Sequence, residues 1–445
     1  MGQLNDIRFE KTNGGMGRTA PSEDPISGLL MYMPEFAEAD LIDSANIKQF
    51  DKISKPDNIN DLYVAKIRYA DELADYGFVK ESMKAEDVTQ LDLAAFLERA
   101  AKNAVVYHVS EFFRMNETGT LYLGIKFGTS ADIEKEDVAA LQNYTNGVIR
   151  QCGVLASKTT NFVDYQSACT ALETAHKPMS IVATTSGMTV NYTTSETQPP
   201  YTHTQSSQSV VGLKLTDFAG TSNPLMAADR SNLSFLIGCD LDGDTLESLA
   251  QYGYYGCLGA CIGAISKAAV HECIAWVQKF PLTLKAPGLI CDALIKDVVQ
   301  ANLELINDNR YLFVLTHVGD ADNYFNDSHT LDVATSDYAY IENVRTIDKA
   351  TRGIRKNLLP YLNSPLYVDP ETGKLESNMV AFLETTAGKA LEDMEKAGEL
   401  SGYKVEINPE QNVIATSQVE IIIKKVPVGV MRKVFVKIGF TTKLN

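Results

Sequence analysis

The chain closes on three apolar runs with strand character. Residues 402–407, 413–426 and 430–440 are rich in Val, Ile and Phe, and turn signals separate them at Asn408-Pro409 and at Pro427 with Gly429. In the last run Val434, Val436 and Ile438 alternate with Phe435 and Lys437, a period of two that places the first three on one face of a strand. The opening of the chain mirrors this. Leu4, Ile7 and Phe9 lie in a short mixed stretch, followed by a Gly-rich, Pro-containing segment over 13–25. Single strands at either terminus cannot pair both of their edges within one chain, and open edges are either capped or used to add a strand from a partner.

Between the ends the pattern alternates. The spacing of Leu93, Phe96, Leu97 and Ala100 predicts a helix over 91–104. Strands are predicted at 105–115, 120–127, 148–156 and 178–184, with helices at 133–145 and 167–176. This alternation predicts an α/β layer. Residues 185–209 are rich in Ser, Thr, Gln and Pro and read as a long polar insertion; strands resume at 210–215 and 233–239. A small-residue helix is expected over 255–277 with a break near Gly263, another helix over 293–306, and a strand over 311–318.

Two long amphipathic helices follow. The first, over 341–362, puts Val344, Ile347, Ile354, Leu358 and Leu362 on one side and Arg345, Lys349, Arg352, Arg355 and Lys356 elsewhere. The second, over 376–397, has Gly398 placed to terminate it. Residues 26–90 mix short apolar runs with polar breaks and predict no definite element. The expected fold class is α/β and α+β multidomain. The expected division is an extended arm over 1–25, an α/β region over 26–335 carrying a variable outer domain, and a C-terminal α+β part over 336–445 with two long helices on a sheet and a terminal β arm.

Charge sharpens the picture. The 445 residues carry a formal net charge of −17, which argues against a nucleic-acid partner. The excess is uneven: residues 336–445 hold 15 basic and 14 acidic side chains, leaving 25 basic and 43 acidic for the rest. A neutral part that stacks and an acidic part that faces solvent suit a dense homopolymer, and the same balance equally suits a soluble acidic cytosolic protein. The seven cysteines (Cys152, Cys169, Cys239, Cys257, Cys261, Cys273 and Cys291) are irregularly spaced in mostly apolar runs, as expected of core thiols in a reducing compartment. Met1 to Asp24 has no apolar core of a signal peptide, and no run approaches the ~20 apolar residues of a membrane helix. Asp6 stands where a myristoylation signal needs Ser or Thr.

Candidate chemistry is thin. Gly14-Gly15-Met16-Gly17-Arg18-Thr19 lacks the lysine of a phosphate loop and reads as a hinge. Cys257 and Cys261 with His271 and Cys273 offer four soft ligands, but their small apolar surroundings favour close helix packing through Gly259, Ala260, Gly263 and Ala264. Asp240-Leu241-Asp242-Gly243-Asp244 has its Gly in the wrong register for a calcium loop and reads as a turn. The densest polar cluster is Asp320, Asp322, Asn323, Asn326, Asp327 and His329, a candidate for cation binding or acid–base work. There is no nucleophile elbow and no H-E-x-x-H. The basic positions of the 341–362 helix are interrupted by Glu342 and Asp348 and lack aromatic stacking partners, so they fit contact with an acidic neighbour or tube surface, or equally a solvated face, better than nucleic acid.

Several stretches resemble the contractile phage tail sheath family. They are Ser336-Asp337-Tyr338 through Ile354, Leu358-Leu359-Pro360-Tyr361-Leu362-Asn363-Ser364-Pro365-Leu366, Gly398-Glu399-Leu400-Ser401-Gly402-Tyr403 and the PEQNVIAT run at 409–416, together with the closing strands. The openings Gln3-Leu4-Asn5-Asp6-Ile7 and Gly14 to Thr19, and the runs at 107–114 and 268–277, resemble sheath-like prophage proteins.

The resemblance implies a tail-sheath-like structural subunit without enzymatic activity or cofactor, metal or catalytic residues. It implies a C-terminal domain facing an inner tail tube protein, stacked rings that are typically hexameric, contacts with baseplate and terminator proteins, and no nucleic acid or membrane insertion. The machine would be a virion tail or related injection system, assembled in the bacterial cytoplasm. Leu4, Ile7 and Phe9 at one end, and Val434, Val436 and Ile438 at the other, are the expected inter-subunit residues. Two other readings stay open at this level: a cytosolic α/β enzyme using the 317–329 cluster, and another virion component such as a baseplate or tube protein.

Overall fold

The strand that organises the molecule lies in the stretch with no sequence assignment. In the computed structural model, β1 (Ile26–Pro34) forms the middle of a seven-stranded sheet. Leu29, Leu30, Met31 and Met33 are fully buried, so both faces of the strand are covered. A strand covered on both faces needs no alternation, and its continuous apolar run carries no period to read. The structure describes residues 23–34, 47–54, 61–82, 87, 89–128, 133–156, 162–185, 192–194, 198–201, 203–205, 214–241, 256–291 and 293–441.

The sheet is completed by β2 (Asp51–Ile53), β3 (Leu62–Ile67), β4 (Thr120–Gly128), β5 (Gln151–Leu155), β6 (Ser180–Thr184) and β9 (Leu233–Phe235), in the order β2-β3-β4-β1-β5-β6-β9. From β4 to β9 it is parallel, while β2 and β3 add antiparallel at one edge. Helices α1 (Leu93–Met115) and α4 (Leu258–Lys267) cover one face, and α2 (Lys135–Tyr144) and α3 (Phe162–Thr174) the other. Two apolar cores result: Leu29, Met31, Val109, Phe112 and Ile262 meet on one side, and Leu30, Leu141, Tyr165 and Cys169 on the other. Within the polar insertion, β7 (Tyr192–Thr194) and β8 (His203–Gln205) pair antiparallel.

Several expected elements change type. Residues 105–115, expected as a strand, continue α1: Asp92 caps the helix through Ala95 N, and Phe96, Ala100, Val105, Val109 and Phe112 keep one helical face buried. The helix expected over 255–277 breaks at Ala268 rather than at Gly263. There the backbone turns extended, and the Arg345 guanidinium donates to the Ala268 carbonyl. The segment expected as a helix over 293–306 divides into the short strand β12 (Ala293–Leu294), a 3-10 turn and α5 (Gln300–Asp308), because Val298 and Val299 hold extended backbone. Leu215–Phe218 is a helical turn rather than the end of a strand, and 210–213 lie outside the described residues. The run at 233–239 feeds two sheets: β9, and β10 (Gly238–Asp240), which pairs with β11 (Pro287–Leu289). A further hairpin joins β13 (Val314–Thr316) to β14 (Asn323–Phe325).

The C-terminal stretch packs α6 (Ile341–Leu358) against α7 (Ser377–Lys396), with Gly353 facing Ala390 so closely that an added Cβ would lie 2.7 Å from the alanine methyl. Pro360 ends α6 early, in a 3-10 turn at Leu359–Tyr361. Gly398 follows α7 at φ +74°, the left-handed position a terminating glycine supplies. The two-stranded sheet of β15 (Leu400–Glu406) and β16 (Ile422–Pro427) lies against α7, with Leu391, Met394, Leu400 and Tyr403 at the contact. The strand expected over 413–426 starts only at Ile422. Upstream, Asn412 accepts from Ala415 N and caps a single helical turn, Val413–Thr416, so local cap chemistry overrides the β preference of Val413 and Ile414.

Candidate functional site

The features of the C-terminal stretch converge on its edge. β15 and β16 pair with each other over Gly402↔Val426 to Glu406↔Ile422, and among the described residues no other strand pairs with either. From 428 to 441 the described chain carries no secondary structure, although 430–440 has the composition of a strand. The expected inter-subunit residues Val434, Val436 and Ile438 are 65%, 78% and 95% exposed, and Phe435 and Phe440 are also in solvent. These five apolar side chains lie uncovered along one stretch of the chain. Leu4, Ile7 and Phe9 lie outside the described residues.

The root of that C-terminal segment is fixed by a residue the sequence did not single out. Arg432 donates from Nε to both oxygens of Asp327, at 2.9 and 3.1 Å, and from Nη2 to Glu342 at the start of α6. Nη2 also reaches Ser328 Oγ at 3.3 Å, and the guanidinium sits 3.6 Å from the centroid of the Tyr340 ring. Two carboxylates, a hydroxyl and an aromatic face make a socket shaped for a planar cation. The carboxylates raise the Arg432 pKa further above its ordinary value, against the opposing effect of burial. The sequence cue was a lone arginine in an apolar tail; nothing in its spacing named partners 90 and 105 residues away.

The N-terminal root is fixed on the same helix. Lys349 Nζ donates to Asp24 at 2.7 Å and to Glu399 at 2.6 Å, and Arg352 lies 4.0 Å from Asp24. The neighbouring Glu23 pairs with Arg150. Three of the five basic positions noted on this helix are thus engaged: Arg345 is buried on the carbonyls of Ala268 and Ala269, with burial pulling its pKa down to about 10, while Lys349 and Arg352 hold Asp24. Arg355 and Lys356 are exposed.

The polar cluster at 320–329 does not converge on one centre. Asn323 donates to the Leu284 carbonyl and accepts from the Leu284 amide, and Asn326 clips Phe313 N and Tyr311 O. Asp327 belongs to the Arg432 socket. His329 meets Asn307 at 3.1 Å, with burial taking its pKa down to about 4. Asp320 and Asp322 sit at an exposed turn, where Asp320 accepts from Asp322 N and Tyr324 OH. The cluster wires loops together.

Cys257 and Cys261 point into the α1–α4 core, and burial raises both thiols above their ordinary pKa. Among the described residues no group of three or more His, Cys, Asp or Glu is placed to hold a metal ion. Asp240 accepts from Lys285 N and Ala286 N; residues 242–244 of that acidic turn, like the Gly14–Gly17 run, lie outside the described residues. No helix among the described residues is long and apolar enough to cross a membrane.

The comparisons with known proteins agree with this architecture. The C-terminal domain of the DUF2586 family matches residues 337–445. No curated protein matches the sequence. Solved structures match over the whole chain. The contracted helical sheath of the anti-feeding prophage is 15% identical with a TM-score of 0.53, covering 100% of both chains. A chain of the anti-feeding prophage baseplate is 14% identical with a TM-score of 0.52, again over 100% of both. The contracted sheath of an extracellular contractile injection system (PVC) is 13% identical with a TM-score of 0.52, covering 100% of this chain and 98% of that one. The chain therefore has the mixed α/β fold of contractile injection system sheath subunits.

Proposed function

We propose that this chain is a structural subunit of a contractile sheath, polymerising around an inner tube by exchanging terminal strands with its neighbours, and that it is not an enzyme. One observation carries the reading: an exposed apolar C-terminal segment occurs in the same chain as a two-stranded sheet whose outer edges no strand pairs among the described residues. An added strand from a second copy would satisfy the backbone groups of the sheet edge and cover Val434, Val436 and Ile438. Leu4, Ile7 and Phe9 would serve the opposite arm. Main-chain bonds hold while the connecting segments let rigid bodies rotate, which is what contraction by rearrangement requires.

In this reading residues 1–25 are an arm, 26–335 an α/β region with an outer domain, and 336–445 the assembling part. The partners are further copies in stacked, hexameric rings, the inner tube protein, and baseplate and terminator proteins, in a tail assembled in the bacterial cytoplasm. The likeness to a baseplate chain supports one alternative, a ring that does not stack.

Negative-stain electron microscopy of the concentrated chain tests both. Tubes or stacked rings, lost on deleting residues 1–12 or on truncating after Gly429, are expected. Isolated rings select the baseplate reading. Uniform small particles indifferent to both truncations overturn the proposal.

A further inference from the structure

The first described residues and the C-terminal tail are tied to one helix. Glu342, in the first turn of α6, holds Arg432; Lys349, two turns later, holds Asp24. Seven residues along an α-helix span about 10 Å and return to nearly the same face. Glu342, Arg345, Lys349 and Arg352 therefore form one stripe, and every member is bonded: to Arg432, to the Ala268 and Ala269 carbonyls, to Asp24 with Glu399, and to Asp24. The Arg345 bonds fasten the stripe to the end of α4, and so to the central sheet.

The Arg432 socket is a built site. Glu342 and Asp327 are buried carboxylates that would face each other without a cation if Arg432 left. Immediately beyond it, residues 433–441 are exposed. Arg432 is thus where the exposed run 433–440 joins the folded part.

We propose that α6 is the common anchor of both arms: the Asp327–Tyr340–Glu342 socket and the Lys349–Asp24 pair fix the points from which the two terminal segments reach a second copy of this chain. The proposal rests on the strand-exchange reading and adds to it what sets the reach. With Arg432 held, Val434, Val436 and Ile438 lie within about 20 Å of the socket in extended form, which limits where on a neighbour they can dock. Released at Arg432, the exposed segment would lose its fixed starting point and its register on a neighbour. The stripe would also pass a pull on one arm to the other through a rigid helix.

The test separates anchoring from strand exchange. Arg432→Ala alone would strand two buried carboxylates and could unfold the region, so the informative variant is neutral: Arg432→Gln with Asp327→Asn and Glu342→Gln. A second neutral set is Lys349→Gln with Asp24→Asn and Glu399→Gln. A nitroxide at Lys433→Cys, in a Cys291→Ser background, reports the root of the C-terminal segment by electron paramagnetic resonance. Sedimentation reports the concentration at which polymers form.

The expected result is an immobile label in the parent and a mobile one in the first set. Circular dichroism is expected to stay unchanged, and the polymerisation threshold to rise about tenfold or more, the equivalent of losing roughly 1.4 kcal/mol per contact. The second set should raise the threshold while leaving the label immobile. If label mobility and threshold match the parent in both sets while truncation after Gly429 abolishes polymers, the anchor is overturned and strand exchange stands. If that truncation polymerises like the parent, strand exchange falls and the label alone decides: mobile in the first set supports the anchor, immobile overturns it.

Discussion

Lys349 Nζ lies 2.7 Å from Asp24 Oδ2, an ion pair between residues 325 positions apart that ties the start of the described chain to the first C-terminal helix. Glu399, at the turn after α7, shares the same ammonium at 2.6 Å. Lys349→Ala would leave two partly buried carboxylates facing each other, and is expected to cost about 2 kcal/mol. Urea unfolding of the parent and variant measures this; a loss below about 0.5 kcal/mol, typical of a solvated surface pair, would show that the contact does not hold the two parts together.

The contact of α4 with α1 depends on missing side chains. A Cβ at Gly259 would lie 2.0 Å from the His108 carbonyl oxygen, and one at Gly263 would lie 2.6 Å from that of Phe112. Backbone cannot yield as a side-chain tip does, so Gly259→Ala should destabilise by about 3 kcal/mol, at the upper end of overpacking effects. Gly373→Ala, with open space around its Cβ but φ +69°, should cost about 1 kcal/mol from backbone strain alone. Thermal melts that rank the two in the opposite order would contradict the packing argument.

Asp348, on α6, should give the fold a measurable pH dependence. Burial, with a smaller push from the Glu173 carboxylate, takes its carboxyl up to about 7, against the opposing charges of Arg352, Arg150 and Lys425. A group whose folded pKa lies above its ordinary value contributes stability that is present below about pH 4 and lost as pH rises through about 7. Asp348→Asn removes that loss. The variant should gain stability relative to the parent at pH 8 but not at pH 4, with roughly 4 kcal/mol as the ceiling for three pKa units. Denaturant midpoints at the two pH values check the sign; an equal shift at both would overturn it.

The apolar C-terminal face makes a prediction without a stability component. Val434, Val436 and Ile438 are largely exposed in the single chain, so replacing all three by Asp should leave the melting temperature unchanged within about 1 °C, as surface substitutions do. Polymer formation should be lost, because an added strand would carry three charges into the contact. Sedimentation velocity and melting curves on one sample test both parts, and polymers formed at parental concentration would remove these residues from the interface.

Lys126 tests the interior. Its ammonium lies 3.1 Å from Glu134 and 3.2 Å from the fully buried Asp137, at the end of β4. Lys126→Met keeps the volume but strips Asp137 of its cation, and should cost about 3–5 kcal/mol. Adding Asp137→Asn should restore much of that in a double-mutant cycle by unfolding; no recovery would show that the pair is not the source of the cost.

By itself the sequence determined what local chemistry decides. The period-two alternation at 434–438, the Gly398 terminus, the amphipathic faces of α6 and α7, and the strands β4, β5 and β6 follow from backbone periodicity and cap preferences that act over a few residues. The resemblance to sheaths was legible because several such stretches occur in order. Tertiary structure decided the rest. β1 has no readable period because both its faces are covered. Val105 to Met115 is helical because it extends a capped helix against α4. The 413–416 run is a turn because Asn412 caps it. The contacts of Asp24 and Arg432 were invisible for the same kind of reason: ion pairs across 90 to 325 residues leave no local pattern, and only the folded chain brings both to one helix.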